Sequence, residues 1–213
     1  MTEKKERKNR CDGDATRAAL IEAAGRLFAE RGFARTSAKD ICAAAGVGAA
    51  AVNYHFNGKD GLYEVVVREA HDRLVDMRDL ESPENLSAPQ RLQRLLSRFI
   101  SGRGDWAVPL LVREVFSGDA SSGPLPGVIL PKKRVLERLM ADVLGRDPAD
   151  PVVQHALALV FLPCVGLLLV PRQLRAAVLP ALDADPEIFR QSFARWLNAG
   201  LAELARKEAG EEK

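Results

Sequence analysis

"AGVGAAAVNYHFNGKDGLY" (residues 45–63) decides how this sequence folds. Two glycines flank Val47, three alanines follow, and a polar and aromatic cluster leads to Lys59 at the start of another helix. The glycines make a tight turn, and the alanines open a short helix over about residues 49–55. Before the turn, Ser37 with Asp40 three residues on forms a capping box for another short helix, whose apolar side includes Ile41 and Ala44. After it, Asn57 is expected to cap a fourth helix, with Asp60 at its N3 position, continuing to about Met77. Two short helices joined by a glycine turn have the geometry of a helix-turn-helix, whose second helix enters the DNA major groove. The competing reading is a small bundle in which "GVGAAAV" serves close packing alone.

Upstream, a first helix is expected over about Thr16–Arg31, with Leu20, Ile21, Ala24, Leu27 and Phe28 on one face and Gly32 as its stop. Residues 1–13 read as a flexible basic arm, residues 14–60 as the helix-turn-helix domain, and residues 61–213 as a larger helical domain. Breaks at "ESPENLSAP" (81–89) and "SGRGD" (101–105), and a loop at "SGDASSGPLPG" (117–127), separate helices near 88–100, 105–116, 131–144 and 151–170. The last helix opens at "DPEIF", with Asp185 as cap and Pro186 at N1, and runs to about Lys207. No strand pattern and no repeat is evident, so the fold class is all-α.

The chain is long enough for one large or two small cores. Its 47 % apolar and 28 % charged composition suits a folded soluble protein. Residues 1–60 hold eleven Lys/Arg against eight Asp/Glu, and the remainder is nearly neutral. A mildly basic front end fits a nucleic-acid-contacting module. Cys11, Cys42 and Cys164 are far apart and odd in number, so no disulfide framework is expected and a reducing cytoplasm is the simpler setting. The N-terminus lacks the apolar stretch of a signal peptide. Residues 156–170 are uncharged and mostly apolar, but a bilayer helix needs roughly 20 such residues, so a core or subunit-interface helix is expected and no membrane partner. No hydrolase elbow, phosphate loop, dinucleotide loop or metal-spaced cluster occurs, and His55, His71 and His155 are widely separated, so neither an enzyme nor a metal or cofactor site is expected.

Lys59 lies in the first turn of a helix, where a cation is unfavourable unless an anion joins it. Backbone N–H groups and a lysine together suit a phosphate. Tyr54 and His55 sit beside that position and can donate to phosphate oxygens. Phe56 reads as core. Thr36 and Lys39 stand near the start of helix two, which crosses the DNA backbone in such proteins.

Residues 16–62 resemble the DNA-binding domain of the TetR/AcrR family of bacterial transcriptional regulators. The likeness rests on "F-x-x-x-G-F-x-x-T" (28–36), "I-x-x-x-A-G-V" (41–47) and "Y-H-F-x-x-K-x-x-L" (54–62). Within the family, "AAAVNYHFNGKDGLY" and "LLVREVF" (110–116) are similar to the CecR-like subgroup. The resemblance implies a homodimer on a pseudo-palindromic double-stranded DNA operator, with one recognition helix, Gly48–His55, per half-site. It implies phosphate contacts from Thr36, Lys39, Tyr54 and Lys59, with His55 as a further candidate. Many members carry Ser at the position of Gly48 and a polar residue at that of Ala49. Here Ala49, Ala50 and Ala51 can only offer methyl contacts and close approach, and Asn53 is the main polar candidate for a base edge. The arm residues Lys4, Lys5, Arg7, Lys8 and Arg10 are candidates for phosphate or minor-groove contacts.

In the rear domain, helix 151–170 is apolar almost all round and must be covered on nearly every side. It and the last helix are the expected dimer interface, through Val160, Leu167, Phe189, Phe193, Trp196, Leu197, Gly200, Leu201 and Leu204. Pro163 should kink the apolar helix. Trp106, Arg113, Phe116 and Phe161 are nominated for a cavity that takes an unidentified small hydrophobic or aromatic effector. A repressor released by that effector is the expectation. An activator on the same fold, or a helical protein-interaction module, remains the alternative.

Overall fold

The computed structural model describes residues 2–75, 86–101, 106–116, 123–170 and 172–206. Among them every regular element is a helix: α1 Thr2–Arg31, α2 Ala38–Ala45, α3 Ala51–Phe56, α4 Lys59–Leu74, α5 Ala88–Ser101, α6 Ala107–Phe116, α7 Leu125–Leu144, α8 Pro151–Leu169, α9 Arg172–Val178, α10 Ala181–Ala184 and α11 Pro186–Ala205. The all-α class and the N-terminal helix-turn-helix follow the expectation. The expected breaks at 81–85 and 102–105, the loop at 117–122, the helix four extension to Met77 and the last helix's end at Lys207 lie outside the described residues.

The first correction concerns the arm, which is helical from Thr2. Glu3, Lys4, Lys5, Glu6, Arg7 and Lys8 are all good helix formers. Glu3 and Arg7, and Glu6 and Arg10, stand four apart in the favourable order. Gly13 weakens that helix by about 1 kcal/mol but does not stop it. The basic side chains of the arm lie outside the described residues. A second difference is α7, which starts at Leu125 rather than 131 and runs through Pro131.

The chain packs as two compact units: Met1–Arg73 with Gly104–Val128, and Leu74–Arg103 with Ile129–Lys213. The first has a single core. Leu20, Ala24 and Phe28 of α1 meet Ile41 and Cys42 of α2, Val52 and Phe56 of α3, and Leu62, Val66 and Ala70 of α4. Trp106, Ala107 and Leu110 close it from the α6 side. The apolar stripe expected on α1 is the buried one, and Gly32 stops the helix at φ +81°. Gly25 explains how close α6 comes: a Cβ there would lie 2.2 Å from the Trp106 ring. The Trp106 indole N–H donates to Glu22 at 2.9 Å, and Arg73 bonds Glu22 and lies over the indole at 4.5 Å. Residues 61–73 and α6 therefore share a core with the helix-turn-helix segment.

The second unit is built on α5, α7, α8 and α11. Leu92, Leu95, Leu139, Met140, Val153, Val160, Leu197 and Leu201 fill its interior. Asp150 caps α8 by accepting from the Val152 N–H at 2.8 Å. Arg146 joins that cap to the end of α11, donating to Asp150 at 2.9 Å and to the Leu204 carbonyl at 3.1 Å. Asp185 caps α11, with Pro186 in its first turn, as expected. Helix α8 is assigned without a break through Pro163. No helix among the described residues is long and apolar enough to cross a membrane.

Candidate nucleic-acid interface

The presentation of the quoted stretch starts at the cap of α2. The Asp40 N–H donates to the Ser37 hydroxyl at 3.1 Å, and the Ser37 N–H donates back to the Asp40 carboxylate at 3.1 Å. The Ser37 hydroxyl and N–H hold the Asp40 carboxyl below its ordinary range, so the cap is charged at neutral pH. Lys39 is thereby displayed in the exposed first turn. Helix α2 ends at Gly46, φ +67°, whose N–H donates to the Ala43 carbonyl at 3.2 Å, while the Val47 N–H reaches the Cys42 carbonyl at 3.0 Å. This is the left-handed stop that the turn requires. The buried Cys42 thiol approaches the Ala49 carbonyl at 3.6 Å across the turn.

Helix α3 is short, six residues from Ala51 to Phe56. Val52 and Phe56 point inward, which confirms Phe56 as core. Gly48, Ala49, Ala50, Asn53 and Tyr54 are exposed, and Tyr54 is the extreme case at 83 %. Its ring stands edge-on to half-buried His55, 4.9 Å between centroids. A phenol, an imidazole, a carboxamide and three small residues thus share one accessible end of the unit. The end of α3 corrects the expected capping: Asn57 is the C-cap of α3 at φ 58°, its N–H donating to the Asn53 carbonyl at 3.1 Å, and it does not cap α4. Asn tolerates the left-handed region better than most residues. A Cβ on Gly61 would lie 2.1 Å from the Phe56 carbonyl oxygen, so α4 can pass beneath α3 only with glycine there.

Two expected phosphate contacts take other positions. Thr36 is 1 % exposed, and its hydroxyl donates to the Gly32 carbonyl at 2.9 Å and approaches that of Leu27 at 3.4 Å. It closes the end of α1 instead of facing solvent, because the last carbonyls of a helix need donors. The Lys59 ammonium donates to the Phe33 carbonyl at 3.1 Å and sits 4.0 Å from the Phe33 ring centroid. A cation at the N-terminus of α4 is thus reconciled with the helix dipole by a carbonyl and a π face. Arg17 was missed. Its exposed guanidinium lies over the Phe56 ring at 5.2 Å. The signal was its place three and four residues before Leu20 and Ile21, which puts a cation at the edge of the apolar stripe.

The effector nominations separate. Arg113 and Phe116 line one cleft of the first unit, Trp106 is buried against Gly25, and Phe161 is half-buried in the second unit. The dimer nominations separate as well. Val160, Leu197 and Leu201 are buried within their own unit and cannot also face a partner. Leu167, Phe189, Phe193 and Leu204 are half-buried, while Trp196 and Gly200 are exposed. Leu159, Leu162, Val165 and Leu169, which were not nominated, form an exposed stripe on α8, and Ile188 is exposed on α11. Among the described residues no cluster of metal-ligating side chains occurs.

A capped α2, a left-handed glycine turn and an exposed α3 define a helix-turn-helix of the kind carried by bacterial regulators. Residues 20–66 match the family model of bacterial regulatory proteins, tetR family. The chain is 39 % identical over 93 residues to a probable HTH-type transcriptional regulator, ArpR, of Pseudomonas putida, and 38 % identical over 93 residues to the HTH-type transcriptional regulator TtgR of the same species. Each match covers 42 % of this chain and 43 % of the relative, so the chain matches less than half the length of either. A TetR-like transcriptional regulator from Rhodococcus sp. RHA1 superposes with a TM-score of 0.62 at 19 % identity, covering 90 % of this chain and 97 % of that one. That likeness is one of fold.

Proposed function

We propose that the protein is a cytoplasmic, ligand-responsive transcriptional repressor that binds a pseudo-palindromic DNA operator as a homodimer. The observation that carries this reading is the exposed face of Lys39, Gly48, Ala49, Ala50, Asn53 and Tyr54, presented by a corner in which α2 is capped at both ends and α3 at its C-terminus. Lys39, Tyr54 and Arg17 serve as phosphate contacts, with His55 beside them, and Lys59 and Thr36 hold the corner that aims them. Asn53 reads a base edge, and the alanines admit the helix closely and touch thymine methyls. Residues 14–60 act as the DNA-binding module, and residues 61–213 serve effector response and dimerisation. The exposed stripes of α8 and α11, which pack together in the second unit, make the partner-facing surface. Leu162, 67 % exposed beside Leu159 and Val165, supports this: an apolar stripe of that length favours cover by a second copy.

Capture and sequencing of genomic fragments retained by the purified protein tests this. Recovery of a common motif with two half-sites is the expected result, and its loss with Asn53→Ala ties it to α3. Retention of fragments without any shared motif contradicts the reading.

A further inference from the structure

Within the first unit, a cleft of about 1020 Å³ opens between the α1–α2 corner, the start of α4 and one side of α6. Its walls are chiefly apolar, with Phe33, Pro109 and Val112 among them, and Phe116 stands in it 71 % exposed. An aromatic side chain left this bare gains most from a flat ligand laid on it. Two guanidiniums face the same space. Arg113 is exposed and holds neutral carbonyls at the end of α1 by long bonds, Nε to Ala29 and Nη2 to Glu30, each at 3.3 Å. Arg35 is exposed too and uses Nε on the Arg31 carbonyl at 3.0 Å.

Three carboxylates, Asp60, Glu64 and Glu114, line the cleft beside the three guanidiniums Arg31, Arg35 and Arg113, so what draws an anion is which of these groups the ligand can reach. Glu114 is only 4 % exposed and accepts the Tyr63 hydroxyl. Burial, and then that hydrogen bond, push the Tyr63 pKa well up, so the phenol keeps its proton and donates it to Glu114. Asp60 and Glu64 are exposed on α4, while Arg31, Arg35 and Arg113 gather at the α1–α2 corner and the adjoining face of α6.

We propose that this cleft binds an aromatic carboxylate, with its ring against Phe116 and Phe33 and its carboxylate on Arg113 and Arg35. The planar guanidinium fork matches a carboxylate, and a bidentate pair with an ionised acceptor is stronger than the long contacts to neutral carbonyls that it replaces. Largely apolar walls disfavour a more heavily charged phosphate. The inference rests on the reading of the chain as an effector-responsive regulator and gives that effector a site. Arg113 and Lys59 each hold carbonyls of the corner that leads into α2, so drawing Arg113 to a ligand releases part of that hold and lowers DNA affinity.

Isothermal titration of the full-length chain, without DNA, against 2-naphthoate and the neutral 2-naphthamide is the test. The acid is expected to bind about tenfold or more tightly than the amide, Arg113→Gln to erase that difference, and Phe116→Ala to weaken both about tenfold. Phe116 is exposed, so its truncation leaves the core intact, and circular dichroism of both variants checks this. Absence of naphthoate binding, equal binding of acid and amide, or naphthoate affinity unchanged by both variants overturns the site. A second titration on an operator duplex keeps the two readings apart. Naphthoate bound through Arg113 with no duplex retained overturns the regulator reading, and a retained duplex with no naphthoate bound overturns the cleft.

Discussion

Asn53 and Gly61 show two ways in which one residue sets this protein's behaviour. Asn53 is the only exposed carboxamide on α3, so Asn53→Ala should alter the ranking of duplex sequences, with a loss of about 1–3 kcal/mol confined to the preferred one. Fluorescence anisotropy on preferred and random duplexes checks this, and equal losses on both would remove the readout role. Lys39→Ala should instead weaken all duplexes alike and reduce the salt slope by about 1. Gly61 acts through packing. Gly61→Ala forces a methyl onto the Phe56 carbonyl and should cost about 1–3 kcal/mol, read from urea denaturation. Much at this scale was legible: Ser37, Asp40, Gly46 and Phe56 do what their types and spacing demand. Thr36 and Lys59 were not, because a hydroxyl and an ammonium are equally suited to a phosphate and to a helix-end carbonyl. Only the fold decides which one is nearer.

Among elements, α6 is the most informative, since it closes the core under the helix-turn-helix. Its junction is the group Glu22, Arg73 and Trp106 over Gly25. Burial works to raise the Glu22 pKa, but the hydrogen bonds from Arg73 and Trp106 outweigh it and hold the carboxyl below its ordinary value. A depressed folded-state pKa gives stability that is present above the unfolded pKa and lost as pH falls through the folded one. The melting temperature of Glu22→Gln should therefore lie below that of the wild type above about pH 5, and the gap should close as pH falls below the ordinary carboxylate range. A gap that persists unchanged in acid would contradict the junction. Helix positions were read well from periodicity and caps, yet this contact was invisible. Gly25 sits mid-helix with no local signal, and Trp106 meets it across 81 residues of chain. The helical arm was missed for the opposite reason: its charged residues look disordered by composition but are strong helix formers one by one.

For the whole molecule, the proposed homodimer turns on the exposed apolar side chains of α8 and α11. Of the residues nominated for the dimer interface, Val160, Leu197 and Leu201 are buried within their own unit, while Trp196 and Gly200 are exposed. Helix α8 is apolar all round, so its pattern carries no phase to tell an inner stripe, Val153, Ala156 and Val160, from an outer one, Leu159, Leu162 and Leu169. Leu162→Asp places a charge on the outer stripe and should yield monomers by sedimentation velocity without loss of helicity, while Val160→Asp should unfold the unit. The central claim is sequence-specific DNA binding by the α2–α3 corner, and anisotropy titration of a duplex recovered by genomic capture, beside a scrambled duplex of equal length, tests it most directly. The expected result is an affinity gap of about a thousandfold or more, with log K falling linearly against log salt for the recovered duplex. Equal affinity for the two duplexes, or no binding to either, would contradict it.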